Sequence, residues 1–530
     1  MKKILSGVGL MLHVPGVMAL LSLPIALIFG EYRGAEAFGL TAFLSLLAGQ
    51  VLYRFFPSQR DTLSVIQVMW VAFLGWTAVS LIGALPFMYI AHRMSEQQLE
   101  ALQLMPFLSF ANSLFESISG YTSTGLTLSI SESKLPYSLQ WWRSFTQWVG
   151  GIGIIVFISA FHPGLHAVNS HYGKQKEEES ASESNKAEDQ NREKNNDENS
   201  DEEEDEDEAD KEGKPSMELN WKKIWWVYLL FTVLSFLLLF LQEVPLWEAI
   251  NHAMTGICTG GFTITDRSLM DYSPSLKLSV AFIMLLGSLN FNRYHEMLAK
   301  GKVKQFFTNW QHVLFMILLL GGTVVLYYEN VIWQQVDIGW VDTFFQMTSG
   351  LGTAGFLTVD LSDWSETALL FLGLVMLIGG ATASTTGGVK IFRLQLFVKG
   401  NIYNSVYWFF KKEPTLYFRF HNKKYSPDEA MRFYRNTGTF FFFFVTFYFL
   451  MTYLLIHNVP DEFELAEIAF ESASALGSVG LTTGITGHEL NLTAKIVLML
   501  LMLVGRMELV PLIILVSGLL KSHAERTHEA

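Results

Sequence analysis

The chain has one cysteine, Cys258, in 530 residues. An intrachain disulfide is therefore excluded, although the compartment is not thereby identified. Charge is scarce too, since Asp, Glu, Lys and Arg together make up 16% of the residues. No Walker lysine follows a glycine-rich loop, so the sequence offers no such site for ATP. No Ser/His or paired-Asp arrangement falls on the apolar runs, which leaves a membrane-embedded hydrolase without nucleophile and base. His252, His295 and His312 are scattered, without the spacing of a metal site, and read as packing residues. Carboxylates within the apolar runs are few, and the repeats described below run parallel. Both features argue against an antiporter or symporter built on inverted repeats. Lys2 and Lys3 precede a long apolar run, but no small-residue cleavage site follows, so the first helix is expected to remain.

What the chain does have is apolar length. Half of its residues are hydrophobic and 14% aromatic. Runs of about 20 apolar residues are transmembrane candidates. Ten are expected, near 4–29, 36–56, 68–92, 137–163, 221–243, 275–297, 310–329, 366–389, 434–457 and 493–520. Basic residues cluster in the loops after the sixth, eighth and tenth runs, including Lys300, Lys302, Lys304, Lys390, Arg393, Lys399, Lys411, Lys412, Lys521 and Arg526. Threading ten spans puts these and both termini on one side, expected to be cytoplasmic.

The formal net charge of −13 is concentrated in residues 174–214, which hold 7 Lys/Arg against 19 Asp/Glu. A segment so acidic and so poor in apolar residues cannot bury a core, and it is expected to be disordered. A solubilising loop is the plainer reading, and an ion-sensing or partner-binding segment the sharper one. Deleting 176–212 should leave yield and ion selectivity unchanged. Loss of purified protein or of selectivity in liposome flux would show that the segment is structural.

One short pattern occurs four times. Phe115-Glu116-Ser117-Ile118-Ser119-Gly120-Tyr121-Thr122-Ser123-Thr124-Gly125 reads as a short helix breaking into a Ser/Thr/Gly turn. In register, each copy ends in Ser or Thr, a small residue, then Gly: Ser123-Thr124-Gly125, Thr259-Gly260-Gly261, Thr353-Ala354-Gly355 and Ser478-Val479-Gly480. The first and fourth copies share the lead-in Phe-Glu-Ser. The final glycines are 136, 94 and 125 residues apart, as one core unit with unequal insertions would give. The division expected is a two-helix unit at 1–63, a first repeat at 64–173, the acidic segment at 174–215, a second repeat at 216–304, a third at 305–430 and a fourth with the C-terminal tail at 431–530.

Between membrane helices, a helix too short to span followed by glycine-rich backbone is tolerated only where it is buried in protein or lines water. Four such segments around one axis would present backbone carbonyls that replace the hydration shell of a monovalent cation. The competing reading is that the small residues merely let helices pack closely. Four in-register copies favour the pore. The fold expected is all-α: ten transmembrane helices with four helix–loop–helix repeats around a central pore, and no enzymatic function.

These motifs resemble the superfamily of K⁺ transporters that includes TrkH, TrkG, KtrB and the plant HKT proteins. Three further stretches carry the likeness, most closely to TrkH: Trp148-Val149-Gly150-Gly151-Ile152-Gly153-Ile154, Gly379-Gly380-Ala381-Thr382-Ala383-Ser384-Thr385-Thr386-Gly387-Gly388-Val389-Lys390, and Gly505-Arg506-Met507-Glu508-Leu509. The resemblance implies K⁺ uptake across the bacterial cytoplasmic membrane, with K⁺ bound at the twelve filter residues. In the superfamily a Ser in place of the first filter Gly is associated with Na⁺. All four positions here are Gly, so the resemblance implies K⁺, with Rb⁺ or NH₄⁺ able to pass. It also implies a homodimer with one pore per chain, and a TrkA-like nucleotide-binding subunit on the cytoplasmic side. The basic stretch 399–435 offers a docking surface for that subunit or for anionic membrane lipid. Nucleic acid is not an expected partner. A proton-coupled K⁺ symporter on the same fold is the alternative.

Residues 379–388, with Arg506, are expected to form a gate beneath the filter, because a break in a spanning helix near a pore marks a gate or a site. A glycine-rich kink without a gating role is the rival. Arg506 is an intramembrane charge that needs a partner. That partner is either the loop's carbonyls or Glu508, unless the side chain snorkels to the interface. Glu116 and Glu471 read as lying at the start of two pore helices, stabilising the helix dipole or attracting cations to the outer mouth. Asn290-Phe291-Asn292 is expected to hydrogen-bond across helices, and Phe440–Phe444 to face lipid or pack.

Overall fold

A computed structural model describes residues 1–56, 65–153, 217–410, 418–420, 423–425 and 427–507. The expected acidic segment lies outside the described residues. Apart from a two-stranded antiparallel hairpin pairing Phe418–Phe420 with Lys423–Tyr425, the regular structure among them is helical. Six described helices are long and apolar enough to cross a membrane, or seven if a bent pair counts as one span. The three other expected spans are seen over fewer residues: helix 137–153, Glu366–Ile378 and Leu492–Arg506.

Two helices, Lys2–Ile28 and Tyr32–Phe55, form an antiparallel pair at the N-terminus. Pro15 and Pro24 lie within the first of them, in keeping with the tolerance of membrane helices for proline. Thereafter the same sequence of elements recurs. An outer helix enters (Val65–Gly83, Met217–Phe240, Trp310–Tyr327, Pro427–Ile456). A short pore helix follows (Phe110–Tyr121, Leu246–Ile257, Trp340–Leu351, Leu465–Gly477). After an irregular loop, an inner helix leaves: 137–153, Pro274–Ser288, Glu366–Ile378 and Leu492–Arg506. At 1.5 Å per residue a pore helix of 12 residues is about 18 Å long, too short for a hydrocarbon core of about 30 Å.

One inner helix departs from the expected continuous span, and another breaks where the glycine-rich stretch 379–388 is expected to interrupt it. The run 275–297 breaks after Ser288 and turns by 94° into Phe291–Lys300. Asn290 sits at the corner, and its side chain accepts from the Asn292 and Arg293 amides as an N-cap. The cross-helix bonds expected of the Asn290 triplet are instead made by backbone. Asn290 N–H donates to His312 and Phe291 N–H to the carbonyl of Ala383. The run 366–389 is helical only to Ile378, then irregular until a new helix starts at Ile391. The two breaks dock on each other. Ala381 N–H donates to Ser288 O and Thr385 N–H to Gly287 O, so the polar backbone exposed by one break satisfies that of the other. In the aromatic run, Phe440 and Phe444 are buried, Phe442 is exposed, and Arg393 stacks on Phe440.

Candidate functional site

The C-terminal ends of the four pore helices open into the Ser/Thr-x-Gly loops. Each turn is made the same way. The Ser or Thr takes the left-handed conformation, with φ of 50°, 51°, 48° and 52° at Ser123, Thr259, Thr353 and Ser478. The amide of the next residue folds back to a pore-helix carbonyl: Thr124 to Ser119, Gly260 to Thr255, Ala354 to Ser349 and Val479 to Ser474, all at 2.8–2.9 Å. In the first and fourth loops the glycine amide also donates to a pore-helix hydroxyl, Ser119 or Ser474, at 3.0 Å. The loop amides are thus turned inward to the protein.

The carbonyls close the ring. A Cβ added to Gly125 would strike the carbonyl oxygen of Gly260, one on Gly261 that of Ala354, one on Gly355 that of Val479, and one on Gly480 that of Thr124. Each repeat's glycine therefore lies against the preceding residue's carbonyl in the next repeat, cyclically, and the fourth returns to the first. All four glycines have positive φ, from 77° to 104°. A side chain here meets both backbone strain and the oxygen ring. Eight of the twelve residues expected to form the filter, each glycine and the residue before it, meet in this ring, and Ser123, Thr259, Thr353 and Ser478 directly precede them in the chain. The ring is not fully symmetric, because Gln147 of the first inner helix donates to Gly260 O at 2.5 Å while accepting from Phe262 N–H.

Behind the filter, the structure corrects the placement of two carboxylates. Glu116 and Glu471 are not at pore-helix N-termini but mid-helix, and both are fully buried. Glu116 accepts from the Thr127 hydroxyl, the Leu128 amide and the Arg143 guanidinium, the last at 2.7 Å. Arg143 goes on to donate to Thr263 O and lies 4.2 Å over the Phe262 ring, tying the first repeat to the second. Sequence reading passed over Arg143 and Gln147, which sit one helical turn apart inside an apolar run.

Beneath the filter, residues 379–390 are held from several sides. Thr385 Oγ1 shares a hydrogen bond with Thr259 Oγ1 at 3.1 Å, and the Gly387 amide donates to Thr353 Oγ1 at 2.9 Å. Thr382 donates to Gln311 through amide and hydroxyl. Gly380 N–H donates to Thr386 Oγ1, and Ser384 Oγ contacts both Ala381 O and Thr386 Oγ1. Gly379 and Gly388 have positive φ and pack backbone to backbone, while Ala383 takes φ 56°. Arg506 donates to Thr385 O at 2.8 Å and to Gly150 O at 3.0 Å. Its other expected partner, Glu508, lies outside the described residues. Lys390, counted above with the cytoplasmic loops, is instead buried, and its ammonium donates to Thr386 O and Oγ1. Two buried cations thus grip the loop.

On the outer face, Asp266 bridges repeats. It accepts from the Ser131 and Ser133 hydroxyls and the Ser133 amide. Burial pushes its carboxyl up, but these donors outweigh it and hold the group below the usual aspartate range. Burial pushes neighbouring Glu132 up to about 7, opposed by Arg143 and reinforced by Glu116 and Asp266. Because this folded-state value is raised from 4.5, the associated stability is present at low pH and is lost as pH rises through about 7. Glu132→Gln is expected to flatten the fall in thermal unfolding midpoint between pH 5 and 8, removing on the order of 3 kcal/mol of dependence. An unchanged pH profile in the variant would place the titration elsewhere.

The fold is shared with the potassium transporter TrkH from Vibrio parahaemolyticus, with a TM-score of 0.78 and 23% identity over 97% of this chain and 98% of that one. An uncharacterised cation transporter of Methanocaldococcus jannaschii is 27% identical over 97% of this chain and 95% of its own length. The Trk system potassium uptake protein TrkH of Salmonella typhimurium is 29% identical over 71% of each chain. The cation transport protein family TrkH matches residues 95–189 and 191–526, nearly all of the chain that carries the four repeats. This multi-pass membrane protein belongs to the TrkH family of cation transport proteins.

Proposed function

We propose that the chain carries K⁺ inward across the bacterial cytoplasmic membrane through a gated pore, with the twelve filter residues as the ion site. The observation that carries this reading is the cyclic abutment of Gly125, Gly261, Gly355 and Gly480 on the carbonyls of the next repeat. Oxygen rings of that kind exchange for the hydration shell of a weakly hydrated cation. The pore helices aim their partially negative C-terminal ends at the same place, which favours a cation there. The potassium uptake role named for the Salmonella relative agrees with it.

Transport of this kind requires no nucleotide hydrolysis. The membrane potential contributes about 2.3 kcal/mol per charge per 100 mV, equivalent to roughly forty-fold accumulation at about 1.4 kcal/mol per decade. Residues 379–388 and Arg506 act as the gate on this reading. The loop's bonds to Thr259 and Thr353 support it, because they tie the loop to the underside of two filter segments. Both termini on the cytoplasmic side, the repeat boundaries at 64–173, 216–304, 305–430 and 431–530, a homodimer and a TrkA-like regulatory subunit belong to the same proposal.

The test is flux of K⁺, Na⁺ and NH₄⁺ into liposomes holding the purified chain, at clamped potential. K⁺ flux that exceeds Na⁺ flux and reverses at the K⁺ equilibrium potential is expected. Flux indifferent to the cation would overturn the filter, and flux that follows a proton gradient would establish the symporter.

A further inference from the structure

Counting back nine residues from each filter glycine gives Glu116, His252, Gln346 and Glu471. All four are fully buried on the pore helices. All four reach the same place, the segment just past the filter glycine. Glu116 accepts from Thr127 and Leu128. His252 Nε2 accepts from the Ile264 amide at 3.4 Å. Gln346 Nε2 donates to the Thr358 hydroxyl at 3.2 Å. Glu471 accepts from the Thr482 hydroxyl at 2.9 Å, the Thr483 amide, and the amide and hydroxyl of Thr486.

The geometry is fourfold but the charge is not. Glu116 is neutralised by Arg143 at 2.7 Å. Gln346 is neutral. His252 is held by the Tyr272 hydroxyl, which itself donates to Glu248. Among the described residues no basic side chain pairs with Glu471. The ammonium of Lys495 on the following inner helix is directed to His488 O. A buried carboxylate is costly unless it is paired and hydrogen-bonded. Glu471 has the hydrogen bonds and, among the described residues, lacks the counter-charge.

We infer that the four side chains form a ring of positioning residues bracing the outer end of the filter, and that the unpaired charge of Glu471 takes the transported cation as its counter-ion. The inference rests on the proposed function, since it requires a monovalent cation in the carbonyl ring. Bracing and charge are separate roles, and the ring itself offers the means to separate them. Gln already occupies the equivalent place in the third repeat, donating to the hydroxyl of Thr358. Glu471→Gln therefore removes the charge and keeps a side chain able to hold Thr482.

The experiment measures K⁺ flux against K⁺ concentration in liposomes, together with the K⁺/Na⁺ flux ratio. For Glu471→Gln the half-saturating K⁺ concentration should rise about tenfold, as for loss of one charge acting through a partly screened interior, with maximal flux and ion preference kept. Gln346→Glu, which adds a charge at the equivalent site, should lower it. Glu471→Ala should lose ion preference as well, because the brace goes with the charge. A merely structural role would change maximal flux or yield and leave the half-saturating concentration alone. If Glu471→Gln does not fold, Gln346→Glu still decides the matter through the same concentration. An unchanged half-saturating concentration in a conducting variant overturns the inference. A parent chain that shows no K⁺ flux overturns the proposed function instead.

Discussion

Arg506→Ala is expected to raise K⁺ flux about tenfold in the absence of any regulatory subunit, because release of the loop and loss of a repelling charge at an effective permittivity near 20 together contribute on the order of 1–2 kcal/mol. The guanidinium is fully buried, and it bonds at once to Thr385 of the loop and to Gly150 of the first inner helix. It therefore latches the loop to the inner helix of the first repeat, and it cannot be neutralised by deprotonation. Deleting part of 381–387 should act alike, since it removes what the latch holds. The double change should add little beyond either single one, as for two lesions in one element. Lys390 offers a comparison: it grips the loop at Thr386 from the loop's own chain, so Lys390→Met should loosen the loop without freeing it from the first repeat. Flux at equal protein density decides the question. Two single variants that conduct no faster than the parent would refute the gate and leave the filter untouched.

Gly125→Ser is expected to lower the K⁺/Na⁺ permeability ratio by roughly tenfold or more, the scale on which a distorted carbonyl cage loses its size preference. Gly125 has φ of 104°, where an L side chain is strained, and its Cβ would fall on the carbonyl oxygen of Gly260. That carbonyl is already held by Gln147, so it has little room to give way. The ring must open on one side or rotate an oxygen off the axis, and either change admits a smaller, more strongly hydrated ion. Reversal potentials in mixed K⁺ and Na⁺ read the outcome directly. A ratio equal to the parent's would mean that the glycine ring does not line the ion path.

Much of this was legible in the chain itself. The apolar runs announce a membrane protein because their length is set by the bilayer, a constraint that leaves its mark on consecutive residues. The four Ser/Thr-x-Gly copies announce a repeat because each turn needs the same local backbone, and local backbone demands appear as residue type. The break at 379–390 was legible for the same reason, since four glycines and a Ser/Thr cluster cannot sustain a helix by propensity.

What the chain could not disclose depends on distance in space. Glu116 and Glu471 looked like helix-start residues, because nothing local says that the strand past the filter returns to pass beside mid-helix. His252 looked like packing, though the repeat register places it where Glu116 and Glu471 stand. The break at Ser288 was hidden inside an apolar run. Its freed carbonyls are satisfied by Ala381 and Thr385, about a hundred residues away in sequence, and without those partners a continuous helix is the better expectation. Lys390 counted as a cytoplasmic charge until the fold buried it against Thr386. Which charges are compensated is likewise a tertiary fact. Arg143 reaches Glu116 across 27 positions, and no described base reaches Glu471. The sequence alone determined the membrane class and the four Ser/Thr-x-Gly turns, because these are local demands of bilayer and backbone. The tertiary structure alone decided the cyclic order of the carbonyls, the docking of the two broken helices and the pairing of Glu116 but not Glu471 with a described base, because these are set by partners that only folding brings within hydrogen-bond reach.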